Sequence, residues 1–200
     1  YEKQLVIDIM MRRCNLFVSP RLAFVNEISD PKEKEEAKVW YCTTVADYFL
    51  KNNEIWGLED PNSLLITAIV LVEQAQGDRV RLGNFLLAKG ATNMGPAAAK
   101  KWKANNKLIN DTRDHYFDKK DKSPQFIHFV GGVQDNIDTD DNVRDLVKAI
   151  VQTGKEGEAS GTYCFDFAGA PCCGVYERAG FEVVEEKDGI RFYSLGGVRP

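Results

Sequence analysis

The sequence predicts one mixed α/β domain, and three observations carry that prediction. Its 200 residues are 44% hydrophobic, enough to enclose one sizeable core. From Gln125 onward the pattern runs strand, loop, helix, strand, helix and hairpin, which is the alternation expected of helices packed on a sheet. Upstream, Glu54–Leu58 and Leu64–Glu73 form a second hairpin pattern set between helical stretches. No repeat, low-complexity run or linker divides the chain, so residues 1–200 are read as a single domain.

Gln4–Phe17 reads as a helix, or as a short strand followed by one, and Pro20 ends it. Asp30-Pro31 opens a long helix, with Asp30 as cap and Pro31 in the first turn. Glu33, Glu35 and Glu36 lie near the positive end of its dipole. Val39, Trp40, Thr43, Ala46, Asp47 and Leu50 carry it to about Lys51. Glu59–Ser63 is the turn of the first hairpin. After the charge-bearing stretch Gln74–Arg79 come two helices, Val80–Lys89 and Pro96–Phe117, divided by Gly90–Gly95.

Asp118–Ser123 is a charged loop, and Gln125–Val133 is a strand of aromatic and aliphatic residues. Asn142–Thr153 is a helix with Val143, Leu146, Val147 and Ile150 on one face. Gly154–Gly161 is a loop and Thr162–Phe167 a strand. Ala170–Ala179 is a short helix closed by Gly180 in a left-handed conformation. Phe181–Glu186 and Ile190–Leu195 make the last hairpin, around Lys187-Asp188-Gly189.

The net charge of −4 and pI near 5.3 argue against a general nucleic-acid binder. No run approaches a membrane-spanning length. Five scattered cysteines match neither a disulfide framework nor zinc spacing, so reduced thiols in a cytoplasmic protein are expected. The N-terminus shows no signal-peptide pattern and, not beginning with Met, is expected to lack a few residues. The sequon Asn110-Asp111-Thr112 is read as coincidental without a secretory signal.

The stretch Val175-Tyr176-Glu177-Arg178-Ala179-Gly180-Phe181-Glu182-Val183-Val184 resembles the C-terminal segment of the GNAT acyltransferases. That family transfers an acyl group from coenzyme A, usually to an amine. Leu146–Val151 is similar to the family's long helix after the acyl-CoA loop, and Asn53–Trp56 with Ile66–Val72 is similar to its central hairpin. The helical zone of about 80–117 resembles an insert of one family branch, and about 125–195 resembles the family's acyl-CoA-type half. The resemblance covers most of the chain. It implies a mixed, mostly antiparallel sheet with flanking helices, splayed into a V-shaped cleft at Gln125–Val133 and Thr162–Phe167.

The loop between strand and helix departs from that family. An anion site there needs free amides and glycines that let the backbone approach phosphate. The family loop reads V-x-P-x-x-Q-G-x-G-x-G. In this chain Asp135 replaces the proline and Asp138 the glutamine, while Thr139, Asp141 and Val143 replace the glycines. Asp140 adds a fourth carboxylate, and no lysine or arginine lies between Val133 and Val143. Coenzyme A binding in the usual manner is therefore not expected, and no cofactor is assigned; acetyl-CoA is the alternative.

Candidate chemical groups are few. His128 is either an acid or base near neutral pH or a buried, hydrogen-bonded histidine. Asp166, between Phe165 and Phe167, is either satisfied by backbone donors or functional. The resemblance puts Tyr176 where many members keep a tyrosine that protonates the leaving thiolate; the other reading is a packed tyrosine. His115 reads as a surface residue. Cys172 or Cys173 is a nucleophile or, with its neighbour, an ordinary packing residue. Asp135–Asn142 lacks the glycine and distal glutamate of a calcium loop and reads as a solvated acidic loop.

Three functions follow as expectations. The first is a repurposed enzyme doing acid/base chemistry on a small organic substrate through His128, Asp166 and Tyr176, such as cyclisation, isomerisation, dehydration or decarboxylation. The second is an acyltransferase that uses acetyl-CoA through an unorthodox loop. The third is a non-catalytic binding or regulatory module.

Overall fold

The computed structural model describes residues 3–52, 54–63, 65–74, 81–116, 124–133, 137–156 and 161–195. The chain divides into two compact units, Tyr1–Asn52 with Asp78–Tyr116, and Asn53–Gly77 with Phe117–Pro200.

The first unit is helical. It comprises α1 (Lys3–Leu16), α2 (Pro31–Asn52), α3 (Leu82–Ala88) and α4 (Pro96–Tyr116), with a 3-10 turn at Ala23–Glu27 that packs on α4 while α1 packs on α2. The segment from Gln4 is helix throughout: Val6, Ile9, Met10 and Arg13 form a buried stripe, which is the spacing of one helix face. At the start of α2 the Asp30 carboxylate accepts the Glu33 N–H at 2.9 Å, satisfying one of the donors a helix leaves open. Asp30→Ala is expected to cost about 1 kcal/mol of stability, measured by urea denaturation.

The second unit is built on one sheet of six strands: β1 (Ile55–Glu59), β2 (Ile66–Gln74), β3 (Gln125–Gly132), β4 (Thr162–Phe167), β5 (Glu182–Lys187) and β6 (Ile190–Leu195). Their order is β1-β2-β3-β4-β6-β5. Every neighbouring pair is antiparallel except β3 and β4. That parallel joint follows from the crossover through α5 (Asp141–Glu156), since a parallel connection needs a long return. Helix α6 (Pro171–Arg178) follows β4. Strands β3 and β4 pair only at Gln125–Ile127 with Thr162–Cys164, although each continues beyond. This is the divergence the sequence resemblance implies.

One sheet face carries a large buried cluster of this unit. Val70, Ile127, Val130, Cys164 and Tyr193 pack with Val143, Val147 and Ile150 of α5 and with Val175 and Tyr176 of α6. Local chemistry closes the elements as expected. Gly180 has φ +95, and the β5–β6 turn places Asp188 at φ 52 and Gly189 at φ 75, as a tight hairpin turn requires.

Two boundaries differ from expectation. A 3-10 turn at Ile137–Thr139 precedes α5 and buries Ile137 in the core, so the acidic stretch is partly wound. Helix α5 runs through Gly154 to Glu156. Gly154 is packed there: a Cβ would meet Gln125 Oε1 at 2.6 Å, so the glycine admits a neighbour and does not stop the helix. The loop Asp118–Ser123 lies outside the described residues. No helix among the described residues is long and apolar enough to cross a membrane.

Candidate functional site

The N-terminus of α5 is where the strand–loop–helix layout would place a phosphate. Asp140 sits directly before the helix. Its carboxylate accepts the Asn142 N–H at 2.9 Å, and its carbonyl accepts the Arg144 N–H at 3.1 Å. A side-chain anion thus already occupies the end of the helix that attracts anions. Asp141 accepts from Arg144 Nη1 at 2.7 Å and from Arg178 Nη1 at 2.8 Å, while Arg144 Nε donates to Asp145 at 2.8 Å. Both nearby guanidinium groups are therefore engaged with carboxylates of the first turns. Val143 is buried in the core, which explains a bulky residue where the family loop has glycine. Thr139 is exposed on the 3-10 turn that also holds Asp138, and Asp135 lies outside the described residues.

Beside this turn is a cleft of about 360 Å³ lined by Leu58, Glu59, Asp60, Pro61, Thr67, Asp140 and Asn142. Three of the seven lining residues are acidic and none is basic. The N–H groups of Ser63 and Asn62 donate to the Asp60 carboxylate and hold it below the usual carboxylate range. It therefore remains charged at neutral pH. An ammonium would be attracted into this cleft and a diphosphate repelled from it.

His128 lies on the other sheet face. Opposite β2, Phe129 pairs with Leu71 and Ile127 with Val72, so His128 is the extra residue of a β-bulge. Bulges re-aim side chains and are over-represented next to active sites. The ring meets Glu73 of β2, with Nε2 and Oε2 2.6 Å apart and both side chains 3% exposed. Phe126 and Phe165 flank it, with ring centroids 6.5 and 5.9 Å away. A carboxylate on one ring nitrogen fixes the orientation of the imidazole, an arrangement a general base uses. Glu73 escaped sequence reasoning. The available signal was a carboxylate closing the apolar run Leu64–Glu73, but only strand register shows that it meets His128.

Asp166 and Tyr176 lie on the core face, away from His128. Asp166 is buried, and its carboxylate accepts the Phe167 N–H at 2.8 Å. On the same face its charge and burial together push the Cys164 thiol well above its ordinary range, burial being the larger cause. Tyr176 is 1% exposed, between the rings of Phe181 and Tyr193 at 5.8 and 5.5 Å. The structure therefore brings Asp166 and Tyr176 to one face and His128 to the other.

The adjacent cysteines act as donors. Cys172 Sγ donates to the Val130 carbonyl of β3 at 3.5 Å and Cys173 Sγ to the Phe167 carbonyl of β4 at 3.3 Å. The first turn of α6 thus ties both strands beyond their split. Burial pushes the Cys173 thiol up, so it is a thiol rather than a nucleophilic thiolate. His115 is exposed on α4. No group of three or more metal-ligating side chains occurs among the described residues.

Solved structures share this architecture. A mutant agmatine N-acetyltransferase in its apo form superposes with a TM-score of 0.62 at 9% identity, covering 97% of this chain and 94% of that one. The C-terminal condensation domain of Ebony, solved with β-alanyl-dopamine, gives 0.60 at 10% identity over 96% and 93%. The polyamine N-acetyltransferase of Drosophila melanogaster, which forms N-acetylagmatine, gives 0.54 at 11% over 75% and 79%. No protein-family model matches the sequence, and no curated protein matches it significantly. At such identities the likeness establishes the fold and no more: the chain has the GNAT acetyltransferase fold, with a mixed, mostly antiparallel, open sheet.

Proposed function

We propose that this protein is a GNAT-fold enzyme acting on a small organic molecule by acid/base chemistry, without coenzyme A held by its pyrophosphate at α5. The observation that carries the reading is the Asp140 carboxylate seated on the α5 N-terminus beside a cleft with three acidic residues. A diphosphate would have to displace that cap and face Glu59 and Asp60. Like charges near contact cost on the order of 1 kcal/mol each at a surface-like dielectric. The Asn142 amide that would help repay this cost is already bonded to the Asp140 carboxylate.

His128 with Glu73 is the acid/base pair of this proposal. Glu73 on Nε2 would set the orientation of the ring for proton exchange with a substrate. Cyclisation, isomerisation, dehydration and decarboxylation each include proton transfers of the kind such a pair can carry. Asp166 and Tyr176, on the other face, stand outside the pair.

Acyl transfer from acetyl-CoA through the atypical loop is the second reading, favoured by the N-acetyltransferases among the structural neighbours. Titration calorimetry and thermal shift with acetyl-CoA separate the two. No heat and no shift are expected at millimolar ligand. A ligand at a hundred times its Kd stabilises a protein by about 2.7 kcal/mol, so binding would be plain. A micromolar Kd overturns the first reading and supports the second.

A further inference from the structure

We infer that a cavity of about 470 Å³ in the helical unit is a binding site for an organic cation with an apolar body. It is separate from the residues of the proposed reaction and does not depend on that reading. Four of its lining residues, Glu33, Glu36, Ala37 and Trp40, come from α2. Their spacing is i, i+3, i+4 and i+7, so they form one stripe along the helix. The bend Asn93–Gly95 between α3 and α4, with Ile28, supplies the rest of the lining.

The lining is graded from apolar to acidic. Ala37 is buried, Trp40, Ile28 and Met94 are half-buried, and Glu33 and Glu36 are exposed. No lysine or arginine is among the lining residues. Glu36 makes an ion pair with Lys32 that is loose at 3.9 Å, with the Lys32 side chain 86% exposed. Glutamates near a helix N-terminus are explained in part by the dipole. That does not explain a half-buried tryptophan on the same stripe two turns into the helix, with Met94 also lining the cavity.

An indole, a thioether and two carboxylates lining one cavity of small-molecule size favour a cation over an anion. They also select an ammonium carrying methyl or methylene groups over a bare metal ion, which would gain nothing from apolar walls. The ligand class is thus an alkylated ammonium, with its charge at the glutamates and its carbon groups on Trp40 and Met94.

Choline and its uncharged carbon isostere, 3,3-dimethyl-1-butanol, test this on the full chain by titration calorimetry and tryptophan fluorescence. Choline is expected to bind at least tenfold more tightly than the isostere. Glu33→Gln with Glu36→Gln is expected to weaken choline about tenfold with unchanged circular dichroism and only a small fall in Tm, since both side chains are exposed and lose little beyond their interaction with the helix dipole. Trp40→Ala is expected to abolish binding, and Trp40→Phe to retain part of it. Equal affinity for choline and the isostere, no heat with choline, or unchanged choline affinity in the double glutamate variant each overturns the inference.

Discussion

Tyr176→Ala is expected to lower stability by about 3–5 kcal/mol, the range for removing a large aromatic side chain from a core. The side chain is 1% exposed and touches the rings of Phe181 and Tyr193. Truncation removes both contacts and leaves a cavity between α6 and β6 that a rigid sheet cannot fill. Tyr176→Phe keeps the ring and is expected to stay within about 1.5 kcal/mol, the scale of one hydrogen bond. Urea denaturation of the two variants measures the difference. The same pair separates packing from chemistry. A Tyr176→Phe protein that folds normally but loses turnover would give the phenol the proton-donor role implied by the family resemblance. Unchanged turnover would leave it a packing residue.

Glu73→Ala is expected to cost about 3 kcal/mol, because it strands a buried imidazole that now has its Nε2 within 2.6 Å of a carboxylate. Glu73→Gln is expected to cost less, since an amide oxygen can still accept from the ring. A double-mutant cycle with His128→Phe should return a coupling of roughly 1–3 kcal/mol, as for contacting polar groups. The isosteric Glu73→Gln variant also tests function. If His128 is the base, turnover should fall far more than stability, because the imidazolium loses its counter-charge. Parallel losses of stability and activity would make the pair structural and remove the chemical half of the proposed function.

Much of the fold was legible because its signals are local. Asp30 caps α2, Gly180 ends α6, and Asp188-Gly189 turns the last hairpin. Each effect depends on one residue and its own backbone. The acidity of the stretch before α5 was equally plain, since charge is a property of composition. Where boundaries were missed, a distant contact decided them. Gly154 reads as a helix stop, but it is helical and lies against Gln125, 29 residues away in the chain, where a side chain would not fit.

The site was less legible. Alternation along one strand indicates which residues share a face, but not how two strands align. His128, Asp166 and Tyr176 each look eligible in the sequence. Ile127 pairs with Cys164, which sets His128 on the face opposite Asp166, and the bulge then turns it toward Glu73, 55 residues away. By itself the sequence determined most element types, the turns and the acidity of the stretch before α5, because these arise from single residues and near neighbours. Only the tertiary structure decided that Cys172 and Cys173 tie the diverging strands and that His128 belongs with Glu73. Register, bulges and crossovers join residues far apart in the chain, and long-range packing selects among alignments that local propensity leaves open.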